Sequence, residues 1–280
     1  MGMVLIAALL WGTTGTARAL GPASAAPLSV GAVRIAIGGA LLTAIALGRG
    51  TLVHPWPLRA ALASAMAVAA YQVAFFEGVA RAGVAAGTII AIGSAPAFAG
   101  LIAFVALGER PTVRWIVATL VAVAGIALLA APSATLPLEP LATGLPLVAG
   151  ASYAVYATAS KRLLRDGDSV AVAALAFGGG AVVLIPVLAL SDLSWVNTTR
   201  GVSVALWLGV FATAVAYLLF TRALARMPVS WGATLSLVEP LTASLLGTLV
   251  LGETLGGPQL AGGALVLCGL LLLATSARAS

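Results

Sequence analysis

Ser94-Ala95-Pro96 is followed, thirteen residues after its proline, by Leu107-Gly108-Glu109; Val238-Glu239-Pro240 is followed at the same spacing by Leu251-Gly252-Glu253. Pro96 to Pro240 and Glu109 to Glu253 are both steps of 144 residues, about half of the 280-residue chain. Working outward, Ala70-Tyr71 recurs as Ala216-Tyr217, within two residues of the same offset. Both copies lie inside long apolar runs. A duplicated, wholly hydrophobic unit predicts an internal-repeat membrane protein, and such repeats are the pattern of transporters.

The composition agrees. Hydrophobic residues make up 61% of the chain and charged residues 8%, where a soluble domain carries roughly 25% charged. Crossing the hydrocarbon layer takes a helix of about 20 apolar residues, and only helices or closed barrels satisfy their backbone there. Barrel strands would alternate in short segments. These runs are unbroken and rich in Ala, Leu, Val and Gly, so the expected class is an all-α integral membrane protein. The net charge of +6 is not a nucleic-acid signal, because the arginines sit at the ends of apolar runs rather than in a patch. Met1–Leu10 lacks the basic region of a cleaved signal peptide.

Ten spans are expected, at about 3–20, 28–47, 59–80, 83–107, 113–131, 142–160, 169–190, 203–224, 228–251 and 258–275. Pro, Gly or charge marks most connections, Pro137 among them. With a cytoplasmic N-terminus, the inner loops hold ten of the 14 basic residues: Arg49, Arg59, Arg110, Arg114, Lys161, Arg162, Arg165, Arg222, Arg226 and Arg278. The outer side holds three, Arg18, Arg81 and Arg200, and Arg34 lies within the second span. That bias places both termini inside. Residues 1–135 and 136–280 then form two five-span units, and an odd span count inserts the second copy inverted. Inverted repeats suit alternating access, since exchanging the conformations of the halves turns one opening into the other.

Leu9-Leu10-Trp11-Gly12, Arg34, Pro96 with Leu107-Gly108-Glu109-Arg110, and Glu239-Pro240 with Leu251-Gly252-Glu253 together resemble the EamA-type branch of the drug/metabolite transporter superfamily. The resemblance covers the whole chain. It implies ten helices, cytoplasmic termini, a bacterial cytoplasmic (inner) membrane location and a central cavity between the halves. It also implies export of metabolites, drugs or amino acids, aromatic ones included. One departure stands out: Ala95 occupies the place that Glu239 holds in the second half.

Glu239 is the most informative candidate. An ionisable group at mid-span costs about 2.5–3.5 kcal/mol on insertion scales, so it should face protein or water. Ser236, Ala243 and Gly247 share its helix face and are small enough for close packing. Glu239 reads as a partner for a substrate ammonium, as a proton site, or as a structural acceptor for backbone freed by Pro240. Pro96 and Pro240 each remove a backbone hydrogen bond and act as hinges or fixed kinks. Glu109 and Glu253 are candidate gate residues on opposite sides of the membrane.

Polar and aromatic residues recur on single faces: Tyr71, Phe75 and Gly78 with Gln72 beside them, then Tyr153, Tyr156 and Ser160, then Thr213, Tyr217 and Thr221. The expected site is lined by Trp11, Tyr71, Gln72, Phe75, Tyr153, Tyr217, Ser236 and Glu239, rings and hydroxyls fit for a zwitterion with an apolar side chain. Trp56, Trp115, Trp195 and Trp207 lie near span ends and read as interfacial belt residues. Glu77 and Arg81, at i and i+4, read as an ion pair on one helix.

Catalytic signals are lacking. The sequence has no Gly-Lys-Ser or Gly-Lys-Thr for a nucleotide loop. His54 is the single histidine and Cys268 the single cysteine, so a His/Cys metal site is excluded, as is an internal disulfide. No cofactor is expected. The reading is a secondary transporter or facilitator of small metabolites, most simply amino acids, working as a monomer in the bilayer. Its alternatives are a membrane-embedded enzyme acting on lipid, which would need clustered His, Asp or Arg at one face, and a multidrug or cation exporter.

Overall fold

The computed structural model describes residues 1–130 and 139–276. The expected boundary at 135/136, the Pro137 turn and Arg278 lie outside the described residues. The helices in chain order are α1 (Gly2–Ala19), α2 (Pro27–Gly48), α3 (Leu58–Ala82), α4 (Val84–Leu107), α5 (Val113–Ala130), α6 (Pro140–Leu163), α7 (Ser169–Val183), α8 (Ile185–Leu190), α9 (Thr199–Leu206), α10 (Ala216–Leu224), α11 (Val229–Leu235), α12 (Val238–Leu251) and α13 (Gly257–Ser276). A π-helical stretch, Trp207–Val215, joins α9 to α10. Among the described residues there is no strand. Among the described residues, eight helical stretches are long and apolar enough to cross a membrane, counting α9 through α10 and α11 through α12 as single stretches. Two expected spans fall outside that set: α1, of 18 residues, carries Thr and Arg, and α7 stops after 15.

Local chemistry sets the ends. Pro27 and Pro140 open α2 and α6 at positions where a missing N–H costs nothing. The Asp168 side chain accepts from the Val170 N–H at 2.8 Å and caps α7. α4 and α12 end alike. Gly108 and Gly252 sit at φ 74 and 73, a left-handed conformation that suits glycine. In each, the next residue's N–H folds back: Glu109 to the Ala103 carbonyl at 3.3 Å, Glu253 to the Gly247 carbonyl at 3.1 Å. The repeated Leu-Gly-Glu is therefore one helix terminus built twice.

Prolines divide two of the expected spans. Pro186 lacks the donor that would continue α7, so α8 starts afresh from Ile185. Ahead of Pro240 the chain leaves regular helix between Leu235 and Val238, and the Glu239 N–H turns to the Ser236 carbonyl at 2.9 Å. α4 runs through Pro96 without such a break.

Helices pair closely. α1 packs on α12 and α4 on α6; α3 packs on α6 and α1 on α10; α3 packs on α7 and α2 on the π stretch; α2 packs on α7 and α5 on α13. Small residues allow the approach: a Cβ on Gly125 of α5 would lie 2.6 Å from the Gly262 carbonyl of α13.

Three expectations are corrected. Trp115 is not a belt residue: it is 6% exposed, and its indole N–H donates to Thr234 Oγ1 at 2.9 Å and to the Ser230 carbonyl at 3.1 Å. Trp195 is 1% exposed and donates to Ser29 Oγ at 3.0 Å. Both indoles point into protein because a polar partner there satisfies the N–H. Arg81 reaches Glu139, at the start of α6, at 3.4 Å instead of pairing with Glu77.

Candidate functional site

The break before Pro240 places the start of α12 against a cavity. The Tyr153 hydroxyl on α6 and Ser236 Oγ share a hydrogen bond of 3.0 Å, and Ser236 also donates to the Gly232 carbonyl at 2.9 Å. Beyond that pinned turn, Glu239, Pro240 and Ala243 line a cavity of about 260 Å³. α1 contributes Trp11, Gly12 and Arg18, α2 Arg34, α3 Tyr71, Phe75 and Phe76, α4 Val84, Thr88 and Ile92, α6 Tyr153 and α10 Tyr217. Gly12 is required for closeness, since a Cβ there would lie 2.5 Å from Thr242 Cβ. Drug-sized pockets run about 300–1,000 Å³, so this one suits a small molecule.

The walls are aromatic. Tyr71 and Phe75 stack at 5.5 Å with planes 7° apart. Trp11 sits 4.7 Å from the Tyr217 ring and 5.4 Å from Phe220. The charges are few and specific. Arg34, 7% exposed, donates through Nη2 to Gln72 Oε1 at 3.3 Å. Its guanidinium and the Glu239 carboxylate are within electrostatic reach of each other, and the Tyr71 and Tyr217 hydroxyls feel both. Arg34 Nε and Trp11 Nε1 are buried and have no hydrogen-bond partner.

The cavity reaches toward the bundle end where α1 and α3 finish and α4 begins, and Gly15 and Val84 there are exposed. The opposite end is closed. Glu109 Oε2 accepts the Val229 N–H at 2.8 Å, and its Oε1 lies 4.0 Å from Lys161 Nζ. Lys161 donates to the Leu224 and Met227 carbonyls, each at 2.7 Å. Thr119 and Thr234 join at 2.8 Å beside Trp115. Glu109 thus ties the end of α4 to the turn between α10 and α11.

Of the expected site residues, Trp11, Tyr71, Phe75, Tyr153, Tyr217 and Glu239 meet in the cavity, with the hinge candidate Pro240. Gln72 lies behind the wall as the acceptor for Arg34, and Ser236 holds Tyr153. Pro96 lies buried within α4, Glu109 at the closed end, and Glu253 exposed after α12; these three do not line the cavity. Sequence reasoning left Arg34 outside the site, although its depth in the second span was the available signal. Phe76, Thr88 and Ile92 gave none, being ordinary helix residues.

Long apolar helices around a small aromatic-walled cavity with a few charges, open toward one end and tied at the other, are the build of a membrane transport protein. The chain belongs to the EamA-like transporter family, whose sequence pattern it matches over residues 1–131 and again over 142–275. It is 43% identical to the "Uncharacterized transporter YwfM" of Bacillus subtilis (strain 168) over 276 residues, covering 98% of this chain and 93% of the relative. It is 33% identical over 216 residues to the "Probable terminal-alkyne amino-acid exporter" of Streptantibioticus cattleyicolor, covering 76% of this chain and 71% of that one. A solved structure described as "Crystal structure of protein" superposes with a TM-score of 0.84 at 23% identity, covering 99% of this chain and 96% of the other, and shares the fold. The role of the chain is transport.

Proposed function

We propose that this protein exports small metabolites, chiefly amino acids with aromatic ones included, by alternating access through the cavity between its two halves. The observation that carries the reading is the cavity itself: both halves build it, rings and hydroxyls line it, one end is open and the other is tied. Tyr71, Phe75, Tyr153 and Tyr217 hold the side chain of the substrate, Trp11 closes the wall beside Tyr217, and Glu239 meets the ammonium. The name carried by the Streptantibioticus relative supports the amino-acid class.

The chain forms two inverted five-helix units, 1–135 and 136–280, with ten spans in the bacterial cytoplasmic membrane and both termini inside. α1 and the α7–α8 pair supply the two spans beyond the eight long helices. The packing supports this arrangement because it pairs off under exchange of the halves: α1 on α12 answers α4 on α6, and α1 on α10 answers α3 on α6. Monomers suffice, with lipid and the small-molecule substrate as the partners and no nucleic acid.

The same exchange predicts the second conformation. Glu253 repeats Glu109, Val84 precedes Val229 by 145 residues, and Arg18 precedes Lys161 by 143. When the outer end closes, Glu253 takes the Val84 N–H and the Arg18 side chain, as Glu109 now takes Val229 and Lys161. In this structure Glu253 is exposed, and among the described residues no ion pair joins it to Arg18. Pro240 gives α12 the freedom to swing.

Reconstitution in liposomes tests the reading, with radiolabelled amino-acid uptake measured with and without a pH gradient. Tyr71→Ala and Tyr217→Ala are each expected to change substrate preference while inserting normally. Parent-like transport of every tested amino acid by both variants would remove the cavity from the pathway. Glu239→Gln separates roles: loss of gradient-driven accumulation with exchange retained assigns it to proton coupling.

A further inference from the structure

Two donors in the cavity wall lack an acceptor. Trp11 Nε1 and Arg34 Nε are buried without a hydrogen bond, on residues only 4% and 7% exposed. An indole N–H and a guanidinium N–H donate and never accept. Buried donors are normally paired, and leaving one unmet is costly. Two around one cavity need a reason. Both side chains line the cavity, so an acceptor bound there meets the two enclosed nitrogens once the side chains turn toward it. They are neighbours through Tyr217, whose ring lies 4.7 Å from Trp11 and whose hydroxyl is within electrostatic reach of Arg34.

The charges carry the argument further. Arg34 and Glu239 line the same cavity and attract each other. They do not close into an ion pair: among the described residues, the pairs within 4.0 Å are Arg81 with Glu139 and Lys161 with Glu109. The buried Arg34 has a neutral acceptor in Gln72 and the half-buried Glu239 has no ion-pair partner among the described residues; opposite charges held apart at one cavity are costly while it is empty. A ligand bearing both signs satisfies both. A planar guanidinium and an indole N–H on the wall of one cavity offer the donors that the two oxygens of a carboxylate accept.

We propose that Arg34 and Trp11 form the carboxylate subsite of the cavity, opposite Glu239, so that the site selects the α-amino-acid zwitterion and not the side chain alone. This rests on the amino-acid reading above and sharpens it. An organic cation lacking a carboxylate leaves both donors unmet and faces the Arg34 charge. A carboxylic acid lacking the amine leaves Glu239 unmet. Gln72, holding Nη2 at 3.3 Å, positions the guanidinium.

The test uses three ligands of one shape on the purified full chain: phenylalanine, phenethylamine and 3-phenylpropionate. Binding is measured directly, by calorimetry or by ligand-induced thermal shift, for the parent, Arg34→Gln and Trp11→Phe. The parent is expected to prefer phenylalanine to both analogues. Arg34→Gln should weaken phenylalanine binding by about 10–100-fold, the range for a hydrogen bond to a charged group, and Trp11→Phe by about 3–10-fold. Neither should weaken phenethylamine. Trp11→Phe keeps an aromatic ring against Tyr217 and Phe220, so it decides the matter if Arg34→Gln does not fold. Equal weakening of phenylalanine and phenethylamine in the folded variants overturns the subsite. Parent binding of phenethylamine as tight as phenylalanine also overturns it while leaving the cavity as a transport site. Binding of none of the three overturns both the amino-acid reading and the subsite built on it.

Discussion

Trp115 joins α5 to α11 through one indole N–H shared by Thr234 Oγ1 and the Ser230 carbonyl. Trp115→Phe keeps the ring and removes the donor, leaving a buried carbonyl less satisfied. The expected loss is about 1–2 kcal/mol of stability, read as a lowered unfolding midpoint in detergent. A belt tryptophan would tolerate the change. This residue shows where sequence stops being informative. Near the end of an apolar span, lipid on one side and protein on the other are equally apolar, so hydropathy does not say which way a ring faces. Trp195 misled for the same reason. Glu239 and the tyrosines were legible because a polar group at mid-depth must face protein or water. Arg34 obeyed the same rule, yet its acceptor Gln72 lies 38 residues away on another helix, a pairing that no local pattern encodes.

Helix ends and breaks follow the same logic at the scale of the element. Leu-Gly-Glu was readable as a repeated motif, and the glycine accounts for its geometry, a left-handed cap that turns the glutamate away from the helix axis. What the glutamate touches depends on the neighbouring half. Glu109→Ala removes an acceptor from the Val229 N–H and a charge from Lys161. It is expected to loosen the closed end and shift the population toward opening there by about 10–100-fold. The measurement is the modification rate of a single cysteine at the cavity-lining Ala243, in a Cys268→Ser background, with a reagent confined to the side of the tied end. An unchanged rate would show that the tie does not hold that end shut. Pro240 was visible as a breaker, Pro186 was passed over inside the expected span 169–190, and Pro96 is accommodated within α4. Proline alone marks a missing donor; the surrounding helices decide whether the helix opens there.

At the scale of the whole molecule the family pattern occurs twice, over residues 1–131 and 142–275, and the offset of 144 residues made that duplication legible in the sequence. The sorting of basic residues predicts the topology: with Cys268 replaced, a cysteine near Thr198 should react with an impermeant external thiol reagent and one near Gly50 should not. The reverse labelling would turn the molecule over. The pairing of helices was less legible, because close contacts such as Gly125 against Gly262 depend on small residues that also occur away from interfaces. The central claim is that one cavity is exposed alternately, and that the outer end closes by repeating the inner tie. Replacing Arg18 and Glu253 by cysteine in a Cys268→Ser protein puts that claim to a direct measurement. In proteoliposomes, counterflow of radiolabelled phenylalanine should stop when the pair is oxidised and return when it is reduced. A pair that never cross-links during turnover, or undiminished counterflow once it has, would contradict the account.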